Sequence, residues 1–145
     1  MSAIPAIHRD TFFLVAGREL GRGISRVVYA CDINPDWVVK VEEDAGRFQN
    51  IVEWKIWQEA KDLPARRWLA PCLYISPNGS VLIQARTTPA RPREYSDRMP
   101  AFLTDFKRLN YGMIGRRLVC HDYGTSLVLH EGLSTKLRRA EWWDS

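Results

Sequence analysis

Cysteine is scarce in this chain: Cys31, Cys72 and Cys120 stand far apart and are odd in number. They spell neither a CxxC metal knuckle nor a paired disulfide framework, so buried reduced thiols are expected. No apolar run approaches the roughly 20 residues that cross a bilayer. The N-terminus lacks the basic-then-apolar pattern of a secretory signal, and a cytoplasmic location is the expectation. His8, His121 and His130 form no helix-spaced metal pair, which removes a zinc site of that kind. No Gly-x-Ser-x-Gly elbow accompanies the serines, so a hydrolase triad lacks local support. Internal repeats and low-complexity tracts are absent as well.

What remains is an ordinary globular composition: 46% hydrophobic and 26% charged residues in a chain of 145. That length suffices for one core, or for two small lobes sharing a cleft. Lys and Arg number 21 against 17 Asp and Glu, a net charge of +4 that favours a polyanionic ligand: nucleotide, nucleic acid or acidic protein. The basic residues cluster at 86–98, at Arg116-Arg117 and at 136–139, and read most simply as solvated faces.

Residues 11–15 and 27–31 are β-rich runs around Gly17, Gly21 and Gly23, which predicts strands joined by a glycine loop. Asn34-Pro35-Asp36 is a turn, and 37–41 make a third strand with Lys40 among three valines. From 45 to about 62, Phe48, Ile51, Val52, Ile56, Trp57 and Ala60 recur at helical spacing, with Glu53 bordering the buried face. Strands at 73–76 and 81–85 flank Pro77-Asn78-Gly79, a hairpin signal. The Pro- and Arg-rich stretch 87–100 reads as a surface linker. Residues 101–109 read as the start of a helical turn and 118–120 as a short strand. Residues 134–143 read as an amphipathic helix capped by Ser134 and packed through Leu137, Ala140 and Trp142 or Trp143. Trp54, Trp57, Trp142 and Trp143 read as core or interface anchors.

Two segments carry chemistry. Asp105, Lys107 and Asn110 are followed, beyond the 118–120 strand, by Asp122-Tyr123-Gly124. This spacing resembles the catalytic loop and the next metal-binding segment of the protein kinase-like superfamily. Gly21-Arg22-Gly23 with Ser25, Arg26 and Val28 resembles the kinase glycine-rich loop, Arg26 replacing the third glycine and Val28 standing where the family packs a valine on adenine. Lys40 resembles the strand lysine that touches the nucleotide phosphates. Its acidic partner on the next helix is taken as Glu53, with Glu59 as the rival. Residues 81–86, including Gln84 and Arg86, resemble the strand leading into the hinge. The resemblance spans about residues 20–124. It departs from the family at Leu103-Thr104, where His-Arg is usual, at Tyr123 in place of Phe, and in having no Ala-Pro-Glu element after Gly124.

The resemblance implies an α+β, kinase-like fold: a five-stranded antiparallel N-lobe sheet with one helix in 1–86, and a much reduced C-lobe in 87–145, together one structural unit. It implies ATP and Mg²⁺ as cofactors, bound between the glycine loop and the Asp105/Asp122 side. Lys40 would align the phosphates, Asp105 would serve an acceptor hydroxyl, Lys107 would neutralise the transferred group, and Asn110 with Asp122 would hold the metal. The rival expectation is a catalytically inactive interaction module that binds a partner protein. Nucleic-acid binding by the basic patches has the least support, and no membrane partner is expected.

Overall fold

The computed structural model describes residues 15–23, 25–42, 48–124 and 132–144. Residues 11–14 of the strand expected at 11–15 and the first residues of the helix expected from 45 lie outside them. The fold divides into two compact units: residues up to Ile51 together with Cys72–Arg86, and Val52–Pro71 together with Thr87 onward.

In the first unit, β1 (Ala16–Arg22), β2 (Arg26–Cys31), β3 (Trp37–Glu42), β4 (Cys72–Ile75) and β5 (Val81–Ala85) form a five-stranded sheet in the order β1-β2-β3-β5-β4, every neighbouring pair antiparallel. Valines at 27, 28, 38, 39, 41 and 81 supply the stiff β-branched side chains that suit a pleated surface. The turns follow from their residues. Asn34 Oδ1 accepts the Asp36 amide at 2.9 Å, and Asn78 Oδ1 accepts the Ser80 amide at 3.0 Å, with Gly79 at φ +78°.

Helix α1 (Gln49–Ala60) follows β3. Its first amides have no acceptor within the helix, and the Glu42 carboxylate supplies one, taking the Gln49 N–H at 2.9 Å and the Asn50 N–H at 2.8 Å. Buried Asn50 then donates from Nδ2 to the carbonyls of Lys40 (3.1 Å) and Gly79 (3.0 Å), fixing the helix start to β3 and to the β4–β5 turn. One helix beside a five-stranded antiparallel sheet makes the class α+β.

The second unit has little regular structure. Beyond the Val52–Ala60 part of α1, its described residues contain only short strands and 3-10 turns. The hairpin of β7 (Tyr111–Ile114) and β8 (Arg117–Cys120) closes through Gly115-Arg116, with Gly115 at φ +60°. β6 (Arg98–Pro100) pairs antiparallel with β9 (Leu137–Arg139). Met99, Phe102, Leu103, Leu69, Val119 and Tyr123 are fully or almost fully buried.

Three local expectations are corrected here. The 134–143 segment is not a helix: Leu137, Arg138 and Arg139 are extended because β6 offers them a pairing edge, and tertiary pairing overrides the helical spacing. The 87–100 stretch is not a mere surface linker, since it contains β6 and buries Met99 and Pro100. The 101–109 stretch shows a turn at 101–102 and then a 3-10 turn at Arg108–Asn110, with no α-helix. Cys31, Cys72 and Cys120 are buried free thiols as expected. Among the described residues no helix is long and apolar enough to cross a membrane.

Gly79 and Gly115 offer a matched test. A Cβ at Gly79 meets Ile51 Cγ1 at 2.5 Å as well as the left-handed backbone penalty, whereas a Cβ at Gly115 meets nothing within 4 Å. Gly115→Ala is expected to destabilise its unit by about 1 kcal/mol from backbone conformation alone, and Gly79→Ala by about 2–4 kcal/mol once the overpacking is added. Urea unfolding of both variants checks the difference.

Candidate functional site

The strand registers of the first unit decide which candidate residues share a face. Gly21 lies opposite Val28, Val28 opposite Lys40, and Lys40 opposite Leu82, so one row runs across β1, β2, β3 and β5. Directly paired residues in antiparallel strands project to the same side, and Gln84, two residues beyond Leu82 and paired with Val38, joins that side. Lys40 is 3% exposed and Gln84 fully buried. Arg86 leaves the strand with its amide bound to the Asp36 carbonyl at 2.7 Å. Gly23 closes the turn between β1 and β2 through its amide to the Arg26 carbonyl at 2.8 Å.

Arg26, standing for the third glycine, does not project over the loop. It is 6% exposed and donates from Nη1 to Asn50 Oδ1 at 3.2 Å, while Ser25 Oγ donates to Gln49 Oε1 at 2.7 Å. The Ser25-Arg26 segment is thus tied to the first turn of α1.

In the second unit the candidate catalytic loop is organised around Asp105. Its Oδ1 accepts the Lys107 amide at 3.1 Å and the Trp143 indole Nε1–H at 3.2 Å, and its Oδ2 accepts from Asn110 Nδ2 at 3.2 Å. The Asp105 carbonyl accepts the Tyr111 hydroxyl at 3.1 Å. Burial of Tyr111 is the main cause that pushes its phenol pKa far up, with Cys120 adding to it, so the group stays protonated and a donor. The Lys107 ammonium lies 5.6 Å from the Trp143 ring centroid.

Asp122 joins this group through backbone and cavity. The His121 amide donates to the Asn110 carbonyl at 2.9 Å, which sets Asn110 beside the residue preceding Asp122. Asp105 and Asp122 both line one small cavity with Thr104 and Tyr111. His121 itself is committed: Nε2 must donate to the Leu109 carbonyl at 2.7 Å, which leaves Nδ1 to accept from Thr87 Oγ1 at 2.7 Å. Both bonds keep the ring in a structural role.

Glu53 lies on the inner face of α1 with Ile56 and Ala60, and is fully buried. Its Oε2 accepts the backbone amides of Tyr123 at 3.0 Å and Gly124 at 2.8 Å. Glu59, the rival acidic residue, is exposed. The Asp-Tyr-Gly backbone is therefore held by a helix carboxylate. Tyr123 in place of Phe has a local reason, since its buried hydroxyl donates to the Ala70 carbonyl at 2.8 Å.

No family model and no curated protein matches the chain. Among solved structures it is similar to the streptomycin–ATP–APH(2″)-IIa ternary complex, with a TM-score of 0.46 and 18% sequence identity, over 63% of this chain. The match covers 31% of that protein, so the chain spans under a third of its length.

Among the described residues, no three His, Cys, Asp or Glu side chains converge on a metal position. The chemistry of the donor set nevertheless fits Mg²⁺. Asn110 spends an amide N–H on Asp105, so its side-chain oxygen and the Asp122 carboxylate are hard donors of the kind Mg²⁺ takes, one or two protein oxygens with water and phosphate completing its shell.

The sequence reading missed Trp143 and Tyr111 as supports of Asp105, and Arg26 with Asn50 as the tie beneath the glycine loop. Only Trp143 carried a signal, as one of the tryptophans read as core or interface anchors. The expected consequence of the Glu53 contact is measurable: Glu53→Ala leaves two buried amides without their acceptor and should destabilise the protein by about 3 kcal/mol or more, with Glu53→Gln less damaging because it keeps one oxygen. Chemical denaturation of the two variants checks this order.

Proposed function

We propose that the chain binds MgATP and transfers the terminal phosphate to a hydroxyl acceptor. The observation that supports this most directly is the Asp105 carboxylate, oriented by the Asn110 side chain and sharing a cavity with Asp122. The row of Gly21, Val28 and Lys40 on one face of the sheet supports a nucleotide-binding role for the first unit.

In the proposed reaction the acceptor oxygen attacks the γ-phosphorus and forms the new P–O bond. The bond from that phosphorus to the β,γ-bridging oxygen breaks, its electron pair leaves with ADP, and the hydroxyl proton passes to the Asp105 carboxylate. Lys40 aligns the phosphates, Lys107 offsets charge on the transferred group, and Asn110 and Asp122 supply the oxygens that hold Mg²⁺. The metal, when bound, neutralises phosphate charge. Little covalent help is asked of the protein, so positioning and charge carry the rate.

A second reading has its own observation. β4 is an edge strand of the sheet, and its Leu73 and Tyr74 are 44% and 49% exposed. An end strand that carries exposed apolar side chains favours a partner that adds a strand, in line with the interaction-module reading.

The deciding experiment follows label from the terminal phosphate of MgATP, with intact mass recorded for self-modification. Asp105→Ala is expected to lower transfer by about 10²–10⁴-fold while nucleotide binding persists. Asp122→Ala should abolish transfer and weaken MgATP more than ATP alone. Equal transfer in wild type and a folded Asp122→Ala sinks the phosphotransfer reading. MgATP binding without any transfer, together with partner capture lost on charging Leu73 and Tyr74, establishes the second.

A further inference from the structure

Trp143 makes an unusual set of contacts for a tryptophan. It is 46% exposed, so core packing does not account for it. The neighbouring Trp142 does pack, with ring centroids 4.8 Å from Tyr111, 4.9 Å from Tyr95 and 5.4 Å from Phe106. Trp143 instead runs beside the Asp105 loop as a parallel bridge to Lys107: its amide donates to the Phe106 carbonyl at 3.1 Å, and its carbonyl accepts the Arg108 amide at 2.9 Å. Arg108 adds an ion pair to Asp144 at 3.2 Å. Backbone bonds on both sides of the residue fix where the indole N–H points, and it points at Asp105 Oδ1.

Lone-pair accounting gives this contact a consequence. A carboxylate oxygen has two favourable acceptor directions. Oδ1 receives two donors, the Lys107 amide and the Trp143 indole, whereas Oδ2 receives only Asn110 among the described residues. The carboxylate is thereby pinned about its terminal torsion, with its unfilled acceptor direction on Oδ2.

We propose that Trp143 is a positioning residue for Asp105: its indole N–H holds the carboxylate so that Oδ2 takes the acceptor's proton. The role in transfer rests on the phosphotransfer reading above, while the contact itself does not. Segment 142–144, distant in sequence from the catalytic loop, becomes part of the active site's framework.

Trp143→Phe tests the idea because it keeps an aromatic ring beside Lys107 while removing the N–H, together with one ring of the half-exposed indole. In a wild type that transfers phosphate, the variant is expected to lose about tenfold in kcat, with KM for the nucleotide unchanged and the folded spectrum retained. A merely structural loss would move stability or KM instead. The independent arm reads indole N–H resonances by NMR: the one missing from Trp143→Phe should shift and exchange faster with solvent in Asp105→Ala. An indole resonance indifferent to Asp105→Ala, or an unchanged kcat in Trp143→Phe, overturns the proposal. Absence of transfer in wild type overturns the phosphotransfer reading and the catalytic role with it, and the indole resonance then still decides whether the contact exists.

Discussion

The buried carboxylate of Glu53 is the constraint on which the candidate site depends. A carboxyl group taken fully out of water is costly unless its polar atoms find partners, and two consecutive amides, those of Tyr123 and Gly124, bond one of its oxygens. The same bonds remove the conformational freedom of the residues just after Asp122. A side chain that would be a liability in an ordinary amphipathic helix thus fixes the backbone beside a candidate metal ligand. The helix tolerates this because its inner face is not wholly apolar: Asn50 is buried on it as well, with both Nδ2 hydrogens committed to carbonyls.

Among the described residues of the second unit, the loop around Asp105 is braced without long helices. Short elements replace them. The β7–β8 hairpin carries Tyr111 under the loop, where its phenol bonds the Asp105 carbonyl, and Trp142 donates to the Ser96 carbonyl at 2.7 Å while packing on Tyr111 and Phe106. Arg138 of β9 donates to the Leu103 carbonyl at 2.6 Å and lies 4.8 Å from the Phe106 ring centroid. Leu103, where the kinase resemblance would have a polar residue, is buried, so this part of the loop is anchored by packing and by a cation on a carbonyl. Aromatic side chains suit such a small unit, since each covers much area for two torsions frozen.

Four of the five strands were legible in the sequence because their signals are local, whereas β1 runs through Ala16–Arg22, across Gly17 and Gly21 that were read as a loop. Val-rich runs bounded by Asn34-Pro35-Asp36 and Pro77-Asn78-Gly79 mark strands and turns within a few residues, and β5 appears with the bounds expected of it. Glu53 was legible by periodicity, lying three residues before Ile56. β7 was not, because Gly112 interrupts its pattern. The glycine is there for a long-range reason: a Cβ at that position would meet Thr87 Oγ1 at 2.5 Å. Residues 134–143 misled for the opposite reason, with helical spacing present but a pairing edge at β6 deciding the conformation.

Arg26 shows how far a motif's spacing constrains its physics. A glycine there would leave the loop free to approach phosphate oxygens through bare amides, whereas Arg26 turns inward to Asn50, and Asn50 in turn bonds the carbonyl of Lys40. The two bonds make a fixed path from the glycine turn through the helix start to the Lys40 backbone. Any ligand of the first unit therefore meets a face whose Lys40 backbone is already held, and its affinity is expected to come from preorganisation more than from closure of a flexible cover.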